Sequence, residues 1–276
     1  MLLLYRRPRL GYFGVAPQNR GRCRMALLDG KVAIVTGTGP NIGGEIARAL
    51  AAKGAKVVCV DRDLDRAEAA AIQVREEGGE ALGVGCDITD PDEAKRAVQE
   101  AVATYGRVDI LVNNAAITHR ETILDSPFET WQRVIAVILN GSFLMSQNAA
   151  NQMVSQGEGG AVVNIASTSG HMGTKAGIAY ATAKAGILNF TRSMALQLAE
   201  HNIRVNSVTP TQTGIPVAGG KSRWEGPPPD NIPRGRWGKP SDQAQAVLFL
   251  VSSNADFITG TDLKVDGGVT AGLAGG

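Results

Sequence analysis

Tyr180 and Lys184 stand four positions apart in a segment with helical periodicity, so their side chains share one face, a turn apart. A free tyrosine, with a pKa of about 10, is a poor base at neutral pH. A cation about 4 Å away, in surroundings of effective dielectric about 20, attracts a phenolate by roughly 4 kcal/mol, enough to bring the tyrosine toward the working pH. The pair could therefore carry general acid/base chemistry, although Tyr-x-x-x-Lys also arises by accident.

A second group has the composition of a phosphate cradle. Thr36-Gly37-Thr38-Gly39-Pro40-Asn41-Ile42-Gly43 joins a β-branched run to an amphipathic segment. Glycines there allow a tight turn and close approach to a pyrophosphate, which the N–H groups and positive dipole of a helix N-terminus can hold. A tight turn without a ligand has the same composition. Val57-Val58-Cys59-Val60-Asp61 then ends the next apolar run on a carboxylate placed to accept the hydroxyls of an adenosine ribose. An acid there repels a 2′-phosphate and favours NAD over NADP, while the adjacent Arg62 could instead meet that phosphate. Asp87 ends a third run and could bond an adenine or simply occupy an exposed turn.

What must position these residues is an alternation of short β-branched runs and amphipathic segments, the signal of parallel βαβ units. It predicts strands at Val32–Thr36, Lys56–Val60, Ala81–Cys86, Ile110–Asn113, Ala161–Ser167, Arg204–Val208 and Asp262–Val265. Helices are predicted at Ile42–Lys53, Leu64–Glu77, Asp92–Tyr105, Phe128–Gln156 (one continuous stretch), Tyr180–Ala199 and Ser241–Ser252. Right-handed crossovers would put helices on both faces of a doubly wound, mainly parallel seven-stranded sheet, with the ligand crevice past the carboxyl ends of its strands. Pro210–Pro240, with seven prolines, breaks the pattern and reads as a lid or mobile loop over a substrate.

Composition narrows the class. At 276 residues, 43% hydrophobic and 20% charged, the chain can build one sizeable core over residues 25–276. No run approaches the roughly 20 apolar residues of a bilayer span. Cys23, Cys59 and Cys86 lack any Cys-x-x-Cys or Cys/His grouping, which argues against a zinc site or disulfide framework and for a reducing compartment. The formal charge of +2 becomes −4 once the six arginines of residues 1–24 are removed, so the body of the chain lacks the basic surface that nucleic acid wants. Residues 1–24 read as an upstream extension, with Met25 a natural start, or as a targeting arm. The expected location is accordingly cytoplasmic, or an organelle matrix if the arm is a transit segment.

Taken in order, Thr36 to Gly43, Asn113-Asn114-Ala115-Ala116, Asn140, Ser167 and Tyr180-Ala181-Thr182-Ala183-Lys184 resemble the short-chain dehydrogenase/reductase family, whose fold is of the Rossmann type. The likeness runs from about Ala26 to Thr270 and takes in Asn206-Ser207-Val208-Thr209-Pro210 and Asp266-Gly267-Gly268. It implies hydride transfer between NAD(H) and a secondary alcohol or ketone, with Tyr180 as general acid/base. Lys184 would lower the tyrosine pKa and bond the nicotinamide ribose, Ser167 would steady the substrate oxygen, and Asn140 would hold a water linking Lys184 to solvent. Cofactor contacts would fall to Gly37, Asn41, Ile42, Gly43, Asp61, Asp87, Ile88, Asn114, Tyr180, Lys184 and Thr213.

The pattern departs from the family at four places. Asn41 replaces the middle glycine of the loop, where asparagine's tolerance of positive φ would preserve the turn. Ala116 replaces a glycine and could crowd the cofactor, Thr211 replaces a glycine after Pro210, and Ile215 stands where a threonine is usual, leaving Thr213 to hold the carboxamide. The resemblance further implies a homotetramer built through the Phe128 and Tyr180 helices. Other uses of the fold are an idle nucleotide-binding sensor and a 3-oxoacyl thioester reductase; enoyl reduction is disfavoured because that branch spaces its tyrosine and lysine more widely. Substrate contacts are sought among Ile117, Thr118, His119, Ser169, His171 and Trp224, with His171 read as a solvated or interface histidine.

Overall fold

The computed structural model describes residues 26–214, 226–228 and 230–272. Residues 1–24, Ile215, Trp224 and much of the Pro-rich segment lie outside these. Strands β1 (Val32–Thr36), β2 (Lys56–Asp61), β3 (Glu80–Gly85), β4 (Ile110–Asn113), β5 (Gly160–Ile165), β6 (Ile203–Pro210) and β7 (Asp262–Val265) form one sheet in the order β3-β2-β1-β4-β5-β6-β7. Every pairing is parallel, with Val35 opposite Cys59 on one side and Val112 on the other. The expected strands all form, with ends shifted by at most two residues.

Because strand side chains alternate, β1 feeds two cores. Ala33 and Val35 face a layer with Ile46 and Leu50 of α1 (Ile42–Ala51) and Val247 and Leu250 of α7 (Pro240–Val251). Ile34 faces the other, with Ala97 of α3 (Pro91–Tyr105), Met145 of α5 (Gly141–Gln156) and Met194 of α6 (Ile178–Leu198). Helix α2 (Leu64–Glu76) packs Ala71 and Val74 into the first layer. Local signals agree with this placement: Asp90 caps α3 through the amides of Asp92 and Glu93, Pro91 opens it, and Gly106 closes it in the left-handed conformation.

One expected helix is broken. The stretch Phe128–Gln156 divides into α4 (Phe128–Ile135), a π turn (Ala136–Asn140) and α5, with the Gly141 amide bonded to the Ala136 carbonyl. No proline or glycine within the turn marks it, and its apolar residues continue the pattern on both sides. Such turns occur chiefly at functional sites. No helix among the described residues is long and apolar enough to cross a membrane.

Candidate active site

Strand order reverses between β1 and β4, and there the crossovers run to opposite sides and leave a crevice. Asn114, just past β4, spans it: its side-chain amide donates to the carbonyls of Thr36 (3.0 Å) and Gly37 (2.8 Å), and its backbone N–H donates to Thr36 Oγ1. Gly37 has φ 69°, and a methyl on it would lie 2.7 Å from Ala115 Cα. A methyl on Gly43 would collide with the Gly37 carbonyl oxygen. Only glycine fits at either position, so the turn is drawn tightly against β4. Asn41 precedes α1 with φ −147°, so the expected need for positive φ there does not arise.

This turn lines a cavity of about 650 Å³ that reaches Asp61 and Arg66. Its other end shares Asn41, Ile42, Asn114 and Ala116 with a second cleft of about 440 Å³, lined by Ser167, Tyr180, Lys184 and Thr213. The two form one furrow along the carboxyl ends of the strands, with Ala116 on its wall. An elongated dinucleotide fits this shape: glycines and a helix N-terminus at the middle, a carboxylate at one end and the tyrosine at the other. Asp61 Oδ1 also accepts the Asp63 N–H at 3.1 Å.

Asp87 and Ile88 follow β3 but do not line the furrow. The Asp87 carboxylate accepts the Thr89 hydroxyl (2.7 Å) and N–H (3.0 Å). Partial burial pushes its pKa up, but the two Thr89 bonds outweigh this and hold it below the usual range. The Ile88 side chain is buried and packs where a methyl on Gly141 would fall, 2.6 Å away.

At the reacting end, Ser167 follows β5 and opens a short 3₁₀ turn, accepting the Ser169 N–H at 3.2 Å. Tyr180 lies in the first turn of α6 and lines the cleft with Ser167, whose hydroxyl favours its ionised form. Lys184 is 3% exposed, donates to the Ile165 carbonyl, and sets its Nζ 5.6 Å from the Tyr180 ring centre. A buried amide chain fixes the strands behind these residues. Asn113 donates to Ser146 Oγ and Asn164 Oδ1, each at 2.8 Å, and Asn164 donates to Thr191 Oγ1 at 2.9 Å. That chain ties β4, α5, β5 and α6 together.

Burial lowers Lys184 to about 7, and burial also raises Tyr180 above its ordinary value, opposed by the Ser167 hydroxyl. In the protein alone, burial thus disfavours the charged form of both residues and works against the expected pull of the lysine on the tyrosine.

Asn140 is exposed at the end of the π turn and is not among the residues that line the cleft. Ile138, two residues earlier and 1% exposed, packs instead in the apolar cluster that includes Ala166, Ala183 and Ile187 and borders Tyr180. Thr118, His119 and Ser169 do line the cleft. Ile117 packs against that apolar cluster, and His171 points away, its Nε2 2.9 Å from Asp262 Oδ2 and 3.2 Å from Thr209 Oγ1. Thr213 lines the cleft with its hydroxyl donating to the Thr211 carbonyl at 2.9 Å. Arg120 and Gln212 complete the rim and were missed, because neither belongs to a motif.

Among the described residues, no group of histidine, cysteine and carboxylate side chains could hold a metal ion. Cys59 and Cys86 are buried, with their thiols pushed up to about 12 chiefly by desolvation.

Residues 37–270 match a family model described as Enoyl-(Acyl carrier protein) reductase. The chain is 37% identical over 247 residues to a D-threitol dehydrogenase of Mycolicibacterium smegmatis, covering 88% of this chain and 94% of that protein. It is 38% identical over 248 residues to a trans-4-hydroxycyclohexanecarboxylate dehydrogenase of Sinomonas cyclohexanicum, covering 88% and 93%. A crystal structure of a 3-ketoacyl-(acyl-carrier-protein) reductase from Brucella melitensis complexed with NADH superposes with a TM-score of 0.82 at 35% identity, covering 88% of this chain and 99% of that one. With this likeness over nearly the whole furrow-forming sheet, the chain belongs to the short-chain dehydrogenase/reductase family.

Proposed function

We propose that this protein transfers a hydride between NAD(H) and a secondary alcohol or ketone, with Tyr180 as the general acid/base. The observation that carries the reading is that Ser167, Tyr180 and the buried Lys184 line one cleft at the end of a glycine-lined furrow. Ser167 holds the substrate oxygen. Tyr180 takes the hydroxyl proton as the carbon gives up its hydride, and returns it when the reaction runs as a reduction. NAD, when bound, supplies the hydride acceptor. Gly37, Asn41, Ile42, Gly43, Asn114 and Thr213 would hold it, and Asp61 would take the adenosine ribose and disfavour a 2′-phosphate.

The relatives support an alcohol or ketone substrate, since their names specify a polyol, a cyclic hydroxy acid and a 3-ketoacyl thioester. We place the protein in the cytoplasm as a homotetramer, to be checked by light scattering. The reading is tested by following nicotinamide absorbance when purified protein is given NAD or NADP with polyols, cyclic alcohols and 3-ketoacyl thioesters. Turnover with NAD is expected for at least one class. Cofactor binding without turnover on any of them would leave a nucleotide sensor instead.

A further inference from the structure

The cleft in front of Tyr180 is electrically one-sided. Its described lining includes the cationic or ionisable side chains of His119, Arg120 and Lys184 and no aspartate or glutamate. Six of the twelve described arginines, Arg48, Arg66, Arg75, Arg96, Arg107 and Arg236, are each paired with a carboxylate, whereas the exposed Arg120 has no hydrogen-bond or ion-pair partner among the described residues. The nearest acid in sequence, Glu121, lies 3.7 Å from His119 Nδ1.

The segment bearing Arg120 is held at both ends. The Gly177 N–H donates to the Glu121 carbonyl at 2.9 Å, and a methyl on Gly177 would lie 2.9 Å from the His119 carbonyl oxygen. Gly177 caps the helix whose first turn presents Tyr180, so the backbone that carries Arg120 is tied to the same turn as the acid/base residue. On the far side Asp125 accepts both the N–H and the hydroxyl of Thr122 at 2.6 Å.

We infer that Arg120 selects substrates bearing an anionic group, a carboxylate or a phosphate, remote from the carbon that reacts. A planar guanidinium offers either anion two parallel N–H donors, and a cleft without carboxylates leaves that charge uncompensated. The pairing would orient a small substrate with its hydroxyl toward Ser167 and Tyr180. This inference rests on the oxidoreductase reading above, so its test separates binding from turnover.

The test uses the full chain in the presence of NADH, titrated calorimetrically with cyclohexanecarboxylate, with methyl phosphate and with the neutral cyclohexanecarboxamide. At least one anion should bind about tenfold or more tightly than the amide. Arg120→Gln should remove that preference, Arg120→Lys should keep part of it, and NADH affinity should match wild type in both variants. The arm with the larger Arg120-dependent gain identifies the anion. Equal binding of anions and amide, or a preference that survives Arg120→Gln, overturns the inference. If alcohols are turned over without any anion preference, the inference falls alone. If Arg120-dependent anion binding persists in a protein that turns over no alcohol or ketone, the oxidoreductase reading falls and the anion site stands.

Discussion

Lys184 sets its ammonium nitrogen 5.6 Å from the centre of the Tyr180 ring while donating to the Ile165 carbonyl at the end of the neighbouring strand. One helical turn thus fixes both the hydroxyl and the amine that line the cleft. The relation makes the two residues separable by experiment. Tyr180→Phe keeps the ring in its apolar cluster and removes only the oxygen. It should lower kcat by about a thousandfold, within the range for loss of a general acid/base, with NAD affinity nearly unchanged by fluorescence titration. A variant retaining more than about a tenth of kcat would mean under about 1.4 kcal/mol of transition-state stabilisation from the hydroxyl, too little for the role.

Burial of Lys184 should be visible in stability. Its folded pKa, about 7, lies below the ordinary lysine value of about 10.4, so between those values the unfolded chain binds a proton that the folded one does not. Stability from this group therefore rises with pH through that window, and the cost of the buried charge is fully present below it. Lys184→Met should gain in melting temperature relative to wild type near pH 7, and the gap should shrink toward pH 10. Loss of the Ile165 hydrogen bond offsets the gap by a constant, so the change of the gap with pH reports the buried charge. A gap that widens with pH would contradict the assignment.

Asp61 should govern cofactor choice. Asp61→Asn keeps an oxygen for the Asp63 amide, so the turn after β2 survives while the charge is lost. Wild type should prefer NAD in kcat/KM, and the variant should narrow the NAD-to-NADP ratio by about tenfold or more, chiefly through KM for NADP, a change of about 1.4 kcal/mol. An unchanged ratio would point to Arg62 or Arg66.

The placement of Asn140 has its own contrast. Asn140→Ala should leave kcat within about twofold, because the side chain is exposed and outside the cleft. Ile138→Ala should instead cost about 2–5 kcal/mol in chemical denaturation, since it opens a void in the cluster behind Tyr180. A large kcat loss in Asn140→Ala with intact folding would restore the amide to the proton path.

Two glycines in one loop should fail differently. Gly43→Ala collides with the Gly37 carbonyl and should destabilise the turn itself, visible as a lower melting temperature without cofactor. Gly39→Ala meets no protein atom within 4 Å, so it should fold normally and any loss should appear in NAD affinity. Equal melting temperatures for the two variants would be inconsistent with this packing.

Strands and their chemistry-bearing ends were legible because their signal is local: a β-branched run, a glycine, an acid or a serine at a known interval. The π turn was not, since Val134 to Leu139 is apolar on either register and periodicity cannot report an extra residue within it. The lysine's lowered pKa and the Asn113–Asn164–Thr191 chain were equally hidden, because both depend on contacts between segments 19 to 51 residues apart. Arg120 carries no motif, and its significance emerges only when the cleft it lines is seen to hold no carboxylate.

A π turn stores one residue more than the α-helix around it, so Ala136–Asn140 acts as a length counter between α4 and α5. Removing a single residue there would let the hydrogen bonds close as an ordinary helix with both flanks in phase, whereas closing as an ordinary helix at the present length would rotate one flank about 100° against the other. In that second case either Val134 leaves its core contacts or Met145 does. The wide turn thus absorbs the extra residue so that two separate cores are filled by one continuous helical stretch.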